Sequence, residues 1–203
     1  MATHRLTLPK VLPFVLIIGG IVGFMASFLL SIDKFKLLQN PGFHPLCSIN
    51  PVISCTSVAG TPQAAVFGFP NMFLGIAGFA MIITVGVAML AGATFKPWFW
   101  RLLNLGALCG VVFIHWLFFQ SVYRIGALCI YCMITWSVTM PIFWYVSLYN
   151  LREGTIVLPK LLARPKEFAH QHHGDVLGAW YLVLFFLILK RFWYYFGPLL
   201  HLS

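Results

Sequence analysis

Charge is what this sequence has least of. Of its 203 residues only 4 are Asp or Glu and 13 are Lys or Arg, 8% charged in all, against roughly 25% in an average soluble domain. A water-soluble fold of this length needs far more polar side chains to cover its surface, so the shortage excludes water as the solvent for most of the chain. The 61% of hydrophobic residues and the mean hydropathy of +0.91 point to lipid instead. A net charge of +9 would suit a nucleic-acid binder only if it were gathered into a dense basic stripe. Here the Lys and Arg residues stand singly or in small groups between apolar runs. They read as topology signals and headgroup anchors, with no nucleic-acid partner.

Backbone N–H and C=O groups cannot stay unpaired in hydrocarbon, so an apolar run of about 20 residues is buried as a helix crossing about 30 Å. Five runs qualify: 11–31, 69–91, 98–122, 125–149 and 177–196. Asp33-Lys34-Phe35-Lys36 closes the first, Lys96-Pro97 parts the second from the third, and Arg124 with Gly126 marks the gap before the fourth. Arg5 and Lys10 precede the first run in the manner of a secretory signal. That run is long enough to span and lacks a small-x-small cleavage site, which predicts an uncleaved anchor. The fold class expected is an all-α integral membrane protein. It divides into a four-helix bundle over 1–150 with a cap loop over 34–68, a basic cytoplasmic linker over 151–176, and a fifth transmembrane helix with a short tail over 177–203.

The basic residues also set an orientation. With the N-terminus inside, Arg5, Lys10, Lys96, Arg101, Arg152, Lys160, Arg164 and Lys166 lie on the inner side, and Lys34, Lys36, Arg124, Lys190 and Arg191 on the outer. The excess favours a cytoplasmic N-terminus in a cell (inner) membrane. The stretch from Lys34 to Gly68 carries Pro41, Gly42, Pro45, Pro51, Gly60 and Pro62, which exclude one continuous helix. Segments 52–58 and 63–69 are still apolar, so short helical pieces lying as a lid over the bundle mouth are expected. Gly19 and Gly23 form a small-xxx-small pair that lets the first span approach a neighbour closely.

Helix parity decides which cysteines can meet. Cys47 and Cys55 follow the first span, and two further spans carry the chain inward and back out to Cys129-Ile130-Tyr131-Cys132. Both pairs therefore share one face of the membrane, whatever the orientation. If that face is the outer one, it is oxidising and permits thiol–disulfide chemistry. In Cys129-x-x-Cys132 two sulfurs open a helix whose free N–H groups and dipole favour a thiolate. The same spacing occurs in zinc sites, and His44, Cys47, Cys129 and Cys132 make a ligand set on paper. Cys47 and Cys55 suit either a mobile arm that exchanges disulfides or one static disulfide. Cys109, inside the third span, reads as a small buried apolar residue. Almost no charge lies inside the spans, which counts against a transport pathway.

The string from Cys47 through Asn50-Pro51 to Cys55, then Gln63-Ala64-Ala65-Val66-Phe67-Gly68-Phe69-Pro70-Asn71, then Leu128-Cys129-Ile130-Tyr131-Cys132, resembles the bacterial homologues of vitamin K epoxide reductase. The related four-span quinone-linked disulfide-forming family places its CxxC before the separated pair, so the order here argues against it. The resemblance implies a bundle around a quinone of menaquinone, ubiquinone or vitamin K type. It implies that Cys47 exchanges with partner thiols, Cys55 passes electrons to Cys129, and Cys132 passes them to the quinone. It implies cofactor-binding roles for Asn71, as donor to a quinone carbonyl, and for Thr61 and Trp136, the latter where relatives commonly carry Tyr. From the residues alone, Asn71 reads equally as the N-cap of the second span. Many bacterial relatives carry a fused thioredoxin-like domain after the fifth span. As the chain ends at Ser203, a separate thioredoxin-fold thiol oxidase or a reduced secreted protein is the expected donor. Vitamin K epoxide reduction and a Cys/His metal-binding membrane protein are the alternative activities. Arg124 reads as an interfacial anchor, and His170, His172 and His173 fall on the face opposite the cysteines.

Overall fold

The computed structural model describes residues 8–40, 42–156 and 171–199. Arg5, Pro41, Lys160, Arg164, Lys166 and His170 lie outside the described residues. Among the described residues five helices are long and apolar enough to cross a membrane, as the composition requires. The chain is a multi-pass membrane protein.

Helix α1 (Leu8–Gln39) is 32 residues long and runs on through Asp33-Lys34-Phe35-Lys36, the cluster that closes the first apolar run. Charged side chains reaching water do not break a helix. The break comes at Gln39, where α1 gives way to Asn40-Pro41-Gly42. The cap follows, with α2 (Cys55–Ala59) and a 3₁₀ turn (Pro62–Ala65) as its short helical pieces. Then come α3 (Met72–Leu90) and α4 (Pro97–Phe119), the latter running into a π turn (Gln120–Ile125). Gly126, at φ 73°, ends that turn in the left-handed region that glycine alone enters freely. The fourth spanning helix, α5 (Ile130–Arg152), therefore starts five residues later than its apolar run, because Ile125–Cys129 is spent on the turn and an extended link. Helices α6 (His173–Arg191) and α7 (Trp193–Leu199) complete the described chain.

Helix α1 is the centre of the bundle, packed on α3 and α5, while α4 packs on α5. The approach of α1 to α3 is close because glycines permit it. Ring atoms of Phe79 occupy the space a Cβ at Gly23 would need, and Ile17 and the Pro13 carbonyl crowd the same position at Gly86. Gly19 faces Ile142 of α5, so the Gly19/Gly23 pair serves two neighbours rather than one. Leu12, Leu16, Phe79, Val85, Trp100, Ile142 and Val146 fill the core at one end. There the buried Asn150 amide is satisfied by the carbonyls of Trp100 (3.2 Å) and Val146 (2.9 Å). Helices α3 and α4 scarcely touch each other, and the space between them is the cavity described below.

Helix α6 lies outside the bundle and is pinned to it by polar aromatic contacts. The Trp180 indole donates to His115 Nε2 (2.9 Å), and the Trp144 indole donates to the His173 carbonyl (3.1 Å). His173 Nδ1 also pairs with the Tyr145 hydroxyl at 3.1 Å. Phe192, wholly buried, joins Val52, Leu128 and Trp136 in one apolar cluster. The fifth spanning helix thus buttresses the CxxC end of α5 from behind.

Candidate active site

The site is assembled by one short backbone connection. The Leu128 N–H donates to the Val52 carbonyl (2.7 Å) and the Ser54 N–H donates to the Leu128 carbonyl (2.8 Å), a single parallel bridge between Ile53 and Leu128. Leu128 directly precedes Cys129 and Ile53 lies two residues before Cys55, so the bridge holds Cys55 against Cys129. The Asn50 side chain shapes the approach, its Oδ1 accepting from the N–H groups of Val52 (3.0 Å) and Ile53 (2.7 Å), an Asx turn of the kind Asn favours before proline-containing loops. On the other strand the Ser121 hydroxyl donates to the Ala127 carbonyl and ties the π turn to the link.

Cys47 and Cys55 are joined by a disulfide with 5.6 Å between their Cα atoms. Cys129 and Cys132 carry free thiols. Cys47, Cys55 and Cys129 form one buried cluster, 3%, 1% and 0% exposed, with Cys132 packed against it. The two pairs meet at one end of the bundle, as helix parity requires. The static-disulfide reading does not account for a second thiol pair packed against the first. Among the described residues no three His, Cys, Asp or Glu side chains converge as a metal-ligand set, so the His44, Cys47, Cys129 and Cys132 constellation is not assembled. Cys109 faces outward on α4, which corrects its reading as a buried residue. An outward side chain in a spanning helix meets lipid, where a small apolar thiol is at ease.

Cys129 is the N-cap of α5, its sulfur accepting the Cys132 N–H at 3.4 Å. The Cys132 thiol hydrogen-bonds to the same sulfur. That bond, with help from the N–H groups of Cys132 and Tyr131, holds the Cys129 thiol below its usual titration range against burial and the negative charge of Asp33, which push the other way. A group with a lowered pKa stays ionised as the pH falls. The ultraviolet thiolate absorbance of reduced wild-type protein, less that of Cys129→Ser, is therefore expected to persist below the ordinary thiol pKa of roughly 8.5. A difference band lost at or above that pH contradicts the assignment.

Beneath the cysteines lies a cavity of about 870 Å³ bounded by α1, the cap, α3, α4 and α5, with both Cys129 and Cys132 in its wall. The wall is mainly apolar. Thr61, Asn71 and Trp136 all line it. Thr61 Oγ1 donates to the Val58 carbonyl at 2.8 Å and closes the end of α2. Asn71 occupies the N-cap position of α3 without capping it. Its Nδ2 donates instead to the Gln63 carbonyl (2.7 Å) and its Oδ1 accepts the Val66 N–H (3.1 Å), bracing the cap. Among the described residues one of the two amide protons has no acceptor. The Trp136 indole N–H is a buried donor with no partner among the described residues, an arrangement costing about 1–3 kcal/mol unless a ligand supplies an acceptor. Arg124 is exposed and absent from the cavity wall. His172 and His173 stand at the far end of the bundle, with Asp175 and Tyr145 respectively.

Two features escaped the sequence reading. The Ile53–Leu128 bridge involves only backbone atoms and leaves no residue signature. Asp33, read there only as part of the cluster that closes the first apolar run, places Oδ2 at 3.8 Å from Cys47 Sγ. Its signal was available, since among so few acidic residues it alone precedes the cap.

A helical membrane bundle that gathers a disulfide and a dithiol over an apolar cavity is a membrane thiol–disulfide redox protein. The chain belongs to the vitamin K epoxide reductase family, whose sequence profile matches residues 14–147, from early in α1 to late in α5. None of the curated proteins compared with it matches the chain. Membership makes it an oxidoreductase of the quinone-linked disulfide kind.

Proposed function

We propose that this protein oxidises the dithiol of a separate thioredoxin-fold partner, or of a reduced secreted protein, and delivers the electrons to a quinone, supporting disulfide formation outside the cytoplasm. The observation that carries this reading is the burial of Cys47, Cys55 and Cys129 in one cluster whose other side is the cavity wall at Cys129 and Cys132. A partner thiolate attacks Cys47 and releases Cys55 as a thiolate. A second partner thiolate then displaces Cys47, leaving the partner oxidised and the cap pair reduced. Cys55 hands the electrons to the Cys129–Cys132 pair, and Cys132 is the exit. Leu46 and Ile49, 93% and 66% exposed beside Cys47, supply an apolar landing surface for the donor.

The residues fit a quinone: an apolar cavity, the unpartnered Trp136 donor and the spare Asn71 amide proton suit a flat ring bearing two carbonyl acceptors. When bound, a quinone supplies a two-electron, two-proton acceptor. In the proposed orientation the N-terminus is cytoplasmic and the cysteine cluster extracytoplasmic, as the distribution of Lys and Arg favours.

The test is turnover of purified protein with a reduced dithiol donor and a soluble quinone, alongside Trp136→Phe. Losing one hydrogen bond worth about 1.4 kcal/mol should raise KM for quinone roughly tenfold with kcat little changed. Removing the orphaned N–H should leave thermal stability without quinone equal or higher. Turnover absent from wild type overturns the function, and an unchanged KM overturns the role of Trp136.

A further inference from the structure

We propose that the Asp33 carboxylate is the proton acceptor for the Cys47 thiol in the step that regenerates the Cys47–Cys55 disulfide, a step that rests on the relay proposed above. The geometry is specific. Asp33 Oδ2 lies 3.8 Å from Cys47 Sγ, within reach of a thiol hydrogen bond once the disulfide is reduced. Among the described residues no imidazole or other carboxylate hydrogen-bonds to Cys47.

The carboxylate is also unspoken for. Lys34, its sequence neighbour, donates its ammonium to the Ala59 carbonyl at 2.7 Å, and Lys36 sits over the Phe43 ring, 5.3 Å from its centroid. Among the described residues Asp33 has no ion pair. The groups that share its field are Lys36 on α1, Cys47 on the cap, and Cys129 and Tyr131 where α5 begins. Of the other three acidic residues, Glu153 and Asp175 lie at the far end of the bundle, and Glu167 lies outside the described residues. A half-buried carboxylate without a cation costs free energy, and a solvating residue at a helix end would gain by turning to a lysine. Asp33 meets sulfur instead.

The chemistry needs such a group. After Cys55 has attacked the Cys129–Cys132 disulfide and displaced Cys132, the relay is held as a Cys55–Cys129 mixed disulfide. Cys47 must then lose its proton and attack Cys55. The Cys47 S–H bond breaks with its proton going to Asp33, the Cys47–Cys55 S–S bond forms, and the Cys55–Cys129 bond breaks with its electron pair going to Cys129 as thiolate. No other oxidant or reductant is involved. Cys129 is a good leaving group because the Cys132 thiol and the start of α5 stabilise its anion. The carboxylate has a second consequence: its charge keeps Cys47 a thiol until the base removes the proton, which prevents a premature thiolate in the cap.

The experiment reads Cys47 directly. In a Cys55→Ser background, where Cys47 stays reduced, the pH dependence of its iodoacetamide alkylation is followed by mass spectrometry with and without Asp33→Asn. Neutralising Asp33 should move the alkylation midpoint to lower pH. In otherwise wild-type protein, Asp33→Asn should slow dithiol-to-quinone turnover by about tenfold or more. Asp33→Glu should restore most of it, and added formate should partly rescue Asp33→Ala. An unmoved midpoint, or wild-type turnover in Asp33→Asn, overturns the proposal. If wild-type protein shows no turnover, the relay itself falls, and the alkylation midpoint still decides whether Asp33 governs Cys47.

Discussion

Cys132→Ala protein is expected to oxidise one equivalent of dithiol donor and then stop. The Cys47–Cys55 disulfide already present can accept two electrons from a donor, so the first turnover is untouched. The cap pair is then left reduced with nowhere to discharge, because a Cys129–Cys132 disulfide cannot form. Steady-state quinone reduction should fall to background, a loss of three orders of magnitude or more, on the order of that seen when other enzymes lose a nucleophile. Structure should survive, since Cys132 is only half-buried and its backbone N–H still opens α5. Quantifying donor disulfide against enzyme concentration checks the stoichiometry. Sustained turnover would remove Cys132 from the relay.

The second large effect is expected where no cysteine is touched. Ser54 holds φ −145°, donates its N–H to the Leu128 carbonyl and caps α2 by accepting the Ser57 N–H at 3.2 Å. Proline fixes φ near −65° and has no N–H, so Ser54→Pro breaks the bridge, leaves the buried Leu128 carbonyl unpaired and removes the cap. Together these should cost about 2–4 kcal/mol locally. If that energy is what holds Cys55 on Cys129, relay turnover should drop on the order of a hundredfold. The bundle itself should remain folded, because α1, α3 and α5 pack on one another without Ser54. The control is Ser54→Ala, which loses the cap alone, about 1 kcal/mol, and keeps the bridge. Trapping of a Cys55–Cys129 mixed disulfide in protein lacking Cys47 and Cys132 reports the contact independently. Efficient trapping in Ser54→Pro would show that the bridge does not set the sulfur geometry.

Much of the architecture was legible because lipid imposes one rule on every spanning segment. The apolar runs had to be helices, and their number fixed which cysteines share a face. The boundaries were less legible. Asp33-Lys34-Phe35-Lys36 marks where hydrocarbon ends and not where α1 ends, since a helix continues through charge once water is available. The opposite error arose at Ile125, whose apolar neighbours belong to a π turn and an extended link rather than to α5. For Asn71 the sequence left two uses open, a quinone contact or an N-cap. The fold adds a third, bracing the cap through Gln63 and Val66, and denies the cap hydrogen bond.

By itself the sequence determined the solvent, the span count and the shared face of the two cysteine pairs, because each follows from local composition and from parity. Only the tertiary structure decided that Cys55 lies against Cys129, that the Trp136 indole has no partner among the described residues and that Asp33 faces Cys47. Those relations join residues far apart in the chain through backbone bonds and packing that no local pattern encodes.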